Sequence, residues 1–81
     1  MIEFNIGDKV TALLDYQVRL RHCDKIITEE GTIACECEVV DTSYRGEQLM
    51  YCITILTNTE KFPFPTFWTE AEEFIKRIIK S

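Results

Sequence analysis

A chain of 81 residues has room for one domain and one core, with too little spare apolar area for a deep substrate cavity, which favours a small binding module over an enzyme. Its residues are 46% hydrophobic and 11% aromatic with only two prolines and three glycines, a composition that excludes a disordered tail. Fourteen carboxylates against nine cations leave a formal charge of −5, which repels the phosphate backbone of nucleic acid and makes a protein with a basic surface the better electrostatic complement.

No positively charged leader opens the sequence, and no stretch approaches the roughly 20 apolar residues needed to cross a bilayer. A cytoplasmic location is therefore expected, with no membrane partner. In that reducing compartment the four cysteines are expected as free thiols.

In chain order, Gly7-Asp8 reads as a turn. It leads into a strand in which Val10, Ala12 and Leu14 alternate with Lys9, Thr11 and Leu13. "QVRLRH" repeats the alternation, with Val18 and Leu20 on one side and Arg19 and Arg21 on the other. "CDKIITEEG" reads as an excursion or short edge strand ending in a turn at Glu29-Glu30-Gly31. Thr32 to Asp41 and Glu47 to Thr57 form a hairpin. A type I turn through Ser43-Tyr44-Arg45-Gly46, with Gly46 left-handed beside a G1 bulge, would pair Val39 with Tyr51, Cys37 with Ile53 and Cys35 with Ile55.

Pro63 and Pro65 make "KFPFPTFW" an extended or 3₁₀-like connection. The spacing of Ala71, Phe74, Ile75, Ile78 and Ile79 predicts a helix over 69–80, begun by a Thr69–Glu72 capping box. Its acidic start and basic end suit the helix dipole, and Glu72–Lys76 and Glu73–Arg77 are spaced for ion pairs. The chain as a whole is expected to be mainly β: one domain over 1–81, a small antiparallel barrel of about five strands with a C-terminal α-helix.

"GTIACECEVV" carries the one stretch with a chemical flavour. On a strand, Ile33, Cys35, Cys37 and Val39 share one face and Thr32, Ala34, Glu36 and Glu38 the other, so the two thiols join a branched aliphatic row and serve as small hydrophobes. A structural zinc site would need two close cysteine pairs, and Cys23 and Cys52 lack that spacing. His22 and Cys23 are strand neighbours on opposite faces, a poor arrangement for an activated nucleophile. No cofactor and no catalytic residue are expected.

Phe62, Phe64 and Phe67 are expected to seal the barrel end beneath the helix. Tyr44, Tyr51 and Trp68 are rings with polar tips, and with Glu36 and Glu38 they form a candidate aromatic and acidic rim for a cationic side chain.

"IGDKV" at the first strand, "GTI" opening the hairpin and the aromatic stretch before "TEAEEF" resemble the SH3-like small barrels, in which a Gly-Asp turn precedes the first strand and an acidic helix follows the last. The resemblance spans most of the chain. It implies a scaffold for protein, peptide or nucleic-acid contacts through loops and rim aromatics. The SH3 domains that bind proline peptides carry an acidic excursion loop; here that stretch holds Arg19, Arg21, His22 and Lys25, a departure that argues against proline-peptide recognition.

The function expected is a small non-catalytic interaction module that binds a basic protein surface, with an inhibitor or regulator encoded by a phage or mobile element as a variant of that class. Two alternatives compete: a metal or redox protein using Cys23, Cys35, Cys37 and Cys52, and a nucleic-acid-binding barrel using Arg19, Arg21 and Lys25. Homo-oligomers are also expected to be open to this chain, through strand edges and an excess of apolar surface at Ile78 and Ile79.

Overall fold

Period-2 alternation carries the first half of the chain into two long strands, β1 (Lys9–His22) and β2 (Lys25–Arg45), which pair antiparallel without interruption from Lys9↔Glu38 to His22↔Lys25. The computed structural model describes residues 4–79. The chain then forms β3 (Gln48–Ile55), a single 3₁₀ turn (Thr59–Lys61), β4 (Thr66–Glu70) and α1 (Ala71–Arg77). The strands lie in the order β1-β2-β3-β4, a curled antiparallel half-barrel with one helix after the last strand. Mainly β with a C-terminal helix is thus the fold; the described residues form four strands rather than five, and a closed barrel is not formed. None of the described helices is long and apolar enough to cross a membrane.

Inward-facing residues of the first three strands, Ala12, Leu14, Cys35, Cys37, Val39, Tyr51, Ile53 and Ile55, make one core with Ala71 and Phe74 of the helix. Phe4, Tyr51 and Phe74 meet edge to face in a closed trio with ring centroids 6.0 to 6.5 Å apart. Such pairs contribute about 0.5–1.5 kcal/mol each beyond the area they bury. The buried Tyr51 hydroxyl accepts a hydrogen bond from the Phe4 backbone N–H at 3.0 Å, so its polar tip is satisfied.

Several expectations are corrected. The reversal between β1 and β2 is a two-residue turn at Cys23-Asp24, both at positive φ (49° and 65°), not a turn at Glu29-Glu30-Gly31. Gly31 lies inside β2 opposite Tyr16, whose ring covers it so closely that an added Cβ would sit 3.2 Å from the phenol oxygen. Its lack of a side chain makes room for that ring, which also stacks under Lys61 at 4.6 Å.

The β2–β3 register is corrected too. The chain reverses through Gly46-Glu47, with Gly46 at φ +67°, so that Arg45 faces Gln48 and Asp41 faces Cys52. Continued regularly, that register would set Val39 against Thr54 and turn the inner row of β2 onto the outer row of β3. A bulge between Val39 and Asp41 absorbs one residue and restores Val39↔Ile53 and Cys37↔Ile55, two residues from the expected pairing but with the same side chains inward. The bulge also bends β2, which helps the sheet to curl.

The segment after Pro65 is a strand, not a connection: Thr66–Glu70 pairs with β3 from Thr54↔Thr66 to Met50↔Glu70. Thr69 and Glu70 therefore belong to β4, the helix covers 71–77 instead of 69–80, and no side chain caps its start. Residue 80 lies outside the described residues. Lys76 pairs with Glu73 at 3.5 Å and Arg77 with Asp15 of β1 at 3.4 Å, in place of the expected i,i+4 pairs. Beyond the helix, Ile78 bridges to Ala12 and the Ile79 N–H donates to the Thr11 carbonyl at 2.9 Å, so the chain returns to the free edge of β1. That contact half-buries Ile78 and leaves Ile79 exposed.

Candidate functional site

Because side chains alternate along each strand, the register that builds the core also dictates the outer face of the sheet. Trp68 of β4 stands opposite Cys52 of β3, which stands opposite Asp41 of β2. One step along, Thr66, Thr54, Glu38 and Lys9 line up across all four strands, the two threonine hydroxyls sharing a hydrogen bond at 3.0 Å. Glu70 with Met50 flanks Trp68 on the other side, and Glu36 lies further along β2 opposite Thr11. Trp68 is half exposed, and Cys52 opposite it keeps only 7% of its surface.

Trp68, Glu36 and Glu38 from the expected rim thus share one face. Tyr44 is 68% exposed near the β2–β3 turn and joins Trp68, Met50, Ser43 and Arg45 around a shallow depression of about 290 Å³. Tyr51 is not on the rim: it faces the core and has no exposed surface, so the expectation that it contacts a ligand is corrected. Tyr51 alternates inward with Ile53 and Ile55, whereas a rim residue on β3 would have to be Met50, Cys52 or Thr54.

Two carboxylates of this face went unrecognised in the sequence. Asp41 reads in the sequence as the end of a strand and Glu70 as part of a helix; the pairing Asp41↔Cys52 puts Asp41 at the far end of the Trp68 row, and Met50↔Glu70 puts Glu70 beside it. With Glu36 and Glu38 they make four carboxylates, facing Lys9 and, at the turn end, Arg45 as the cations within the same patch. A half-exposed indole among carboxylates offers a cation both a π-face and Coulombic attraction.

The thiols separate into three places. Cys35 and Cys37 have no exposed surface and their Sγ atoms approach the Ile33 and Cys35 carbonyls at 3.9 and 3.6 Å. Burial pushes both thiols above the ordinary range, Cys37 to about 11, and pushes the Cys52 thiol up as well, with Asp41 adding to the effect. Cys52 is on the opposite side of the sheet from Cys35 and Cys37, and exposed Cys23 is at the tip of the β1–β2 hairpin, about 35 Å along β2 from Cys35. These positions cannot bring all four sulfurs to one ion. Among the described residues, no three His, Cys, Asp or Glu side chains converge as a metal site.

A second depression, a groove of about 390 Å³, opens on the inner side between β1, the residue 62–64 loop, β4 and the helix. Leu14, Phe62, Phe67 and Phe74 line it. Asp15 and Arg77 sit at its mouth, where hydrogen bonds from Thr32 and Arg77 hold the Asp15 carboxyl below its ordinary range. Phe62 and Phe67 pack partly buried against the core, whereas Phe64 is 75% exposed.

Comparison with protein-family models, with curated proteins and with solved structures finds no match for this chain.

Proposed function

We propose that the chain is a non-catalytic protein-interaction module whose outer sheet face receives a cationic side chain from a basic protein surface. Trp68 carries this reading: it is a large ring left half exposed on the edge strand β4, with Glu70 two residues along the same strand and Asp41 and Glu38 on the same face of β2, one strand beyond. Large exposed aromatics with a polar rim are the usual anchors of protein interfaces. Tyr44 extends the aromatic surface toward the β2–β3 turn, and Glu36 extends the acidic one along β2.

An SH3-like origin of the half-barrel belongs to the same reading. It is supported by the Gly7-Asp8 turn that leads into β1 and by the return of Ile78 and Ile79 to the β1 edge, where a fifth strand would begin. An inhibitor encoded by a phage or mobile element is one occupation such a module would suit, its carboxylates presented where a target expects phosphates.

Calorimetric titration with a short arginine-rich peptide tests the proposal. Saturable binding that weakens with added salt and is lost in Trp68→Ala is the expected result. Equal heats for wild type and Trp68→Ala would remove it.

A further inference from the structure

Glu29, opposite Val18, still reaches Lys61 of the 3₁₀ turn at 4.0 Å; beyond Val18↔Glu29 the β1–β2 pair extends as an exposed ribbon. Every residue from Arg19 to Thr32 is exposed, and the Cα radius of gyration is 14.5 Å, against about 12 Å for a compact chain of this length. A two-stranded ribbon is at best marginally stable alone in water. This one nevertheless exposes Leu20, Ile26 and Ile27, at 47%, 70% and 49% of their surface. Leu20 and Ile27 continue the inward face of the sheet, while Arg19 and Arg21 share the other face with Ile26 and Thr28. Between Arg19 and Thr28, three cations oppose only Asp24, so a basic, partly apolar arm projects from a chain whose total charge is −5.

That arm has the chemistry which the face around Trp68 is built to receive. It cannot reach that face within its own chain: pairing runs unbroken from Glu38 to Lys25 with no hinge, so Arg21 lies about 33 Å along β1 from the residue opposite Glu36. We infer that the occupant is a second copy, the Arg19, Arg21 and Ile26 side of one arm lying across the Trp68 and acidic face of its twin. A two-fold arrangement makes the contact twice, arm to face and face to arm, and closes as a dimer. Arginine guanidinium groups stack on an indole and pair with carboxylates in the same contact. The inference rests on the proposed role of the face and names its partner.

Exchange of charge between the two surfaces tests it, with reducing agent present so that Cys23 cannot cross-link copies. Light scattering on size-exclusion effluent reads the mass of wild type, of the double variant Arg19→Glu/Arg21→Glu, of Glu36→Lys/Glu38→Lys, and of an equal mixture of the two. Wild type is expected to be dimeric at low salt and to dissociate as salt is raised. Each double variant sets like charges against each other and is expected to be monomeric. In the mixture each acidic arm meets a basic face and each basic arm an acidic one, so dimers return. That recovery cannot come from a misfolded variant, and circular dichroism confirms the sheet in each.

Monomeric wild type at millimolar concentration, dimeric single components, or a mixture that stays monomeric would each overturn the inference. If the chain is monomeric yet the arginine-rich peptide still binds through Trp68, the self-association falls and the role of the face stands. If peptide binding is also absent, the face itself falls.

Discussion

Trp68 and Cys52 stand directly opposite each other on β4 and β3, and Cys52 keeps 7% of its surface. This is a cross-strand pair on the solvent side of the sheet, which places the ring beside the sulfur. A thiol reagent in native buffer is therefore expected to modify Cys23 rapidly and Cys35, Cys37 and Cys52 slowly. Trp68→Ala adds Cys52 to the fast class while Cys35 and Cys37 stay slow. Counting released chromophore against time checks this, and four fast thiols in the wild type would refute the inward row.

Alkaline pH should weaken the fold through the same thiols. Their folded pKa values are raised by burial, that of Cys37 to about 11, so the folded chain holds protons that the unfolded chain gives up. Their contribution to stability is full below the ordinary thiol range and falls as pH rises above it, that of Cys37 being lost as pH passes through about 11. Melting temperature followed from pH 8 to 11 is expected to fall, and to fall less steeply in Cys37→Ala, which no longer has that proton to lose.

Tyr51 tests the core assignment that removed it from the rim. Tyr51→Phe keeps the aromatic trio and deletes the acceptor for the Phe4 N–H, a loss expected to cost about 1 kcal/mol. Phe74→Ala removes the ring that joins the helix to the sheet and is expected to cost about 3–5 kcal/mol. Arg77→Ala breaks an exposed pair with Asp15 and should cost less than about 1 kcal/mol. Urea unfolding of the three variants gives the order directly.

What the sequence made legible was the inner row. Ala12, Leu14, Cys35, Cys37 and Val39 alternate without a break, and burying one face leaves a period-2 pattern whatever the turn does. Register was another matter. A two-residue turn at Gly46-Glu47 and a bulge near Val40 compensate each other, and neither leaves a mark in the alternation of nearby side chains. The reversal at Cys23-Asp24 has no glycine or asparagine to announce it, while Gly31 does look like a turn and instead makes room for Tyr16.

β4 was hidden by its length of five residues and by Pro65 just before it. That proline has no N–H to lose to a ladder, yet its carbonyl accepts from the Ile55 N–H at 2.7 Å and starts the pairing. Reading Thr66–Glu70 as connection and helix start also hid Glu70, just as placing a strand end at Asp41 hid that carboxylate. Trp68, Glu36 and Glu38 were found because each is a conspicuous residue type on a period-2 segment or beside one. Tyr51 was placed wrongly because its polar tip can be satisfied by a distant backbone N–H, which no local pattern displays.

Hydrogen exchange separates the arm from the rest. Amides from Arg19 to Thr28 belong to an unsupported ribbon, so in the Arg19→Glu/Arg21→Glu variant they are expected to exchange far faster than those of Cys37, Val39 and Ile53. Uniform protection along all of β1 and β2 would show that the ribbon is packed within its own chain.

The outer face is best tested by mapping amide chemical shifts during titration with an arginine-rich peptide, using the monomeric Arg19→Glu/Arg21→Glu chain so that no second copy competes. Shifts concentrated at Asp41, Cys52, Trp68 and Glu70, and abolished by Trp68→Ala, are the expected result. Shifts confined to the groove around Phe62, Phe67 and Arg77, or no saturable shifts at all, would contradict it.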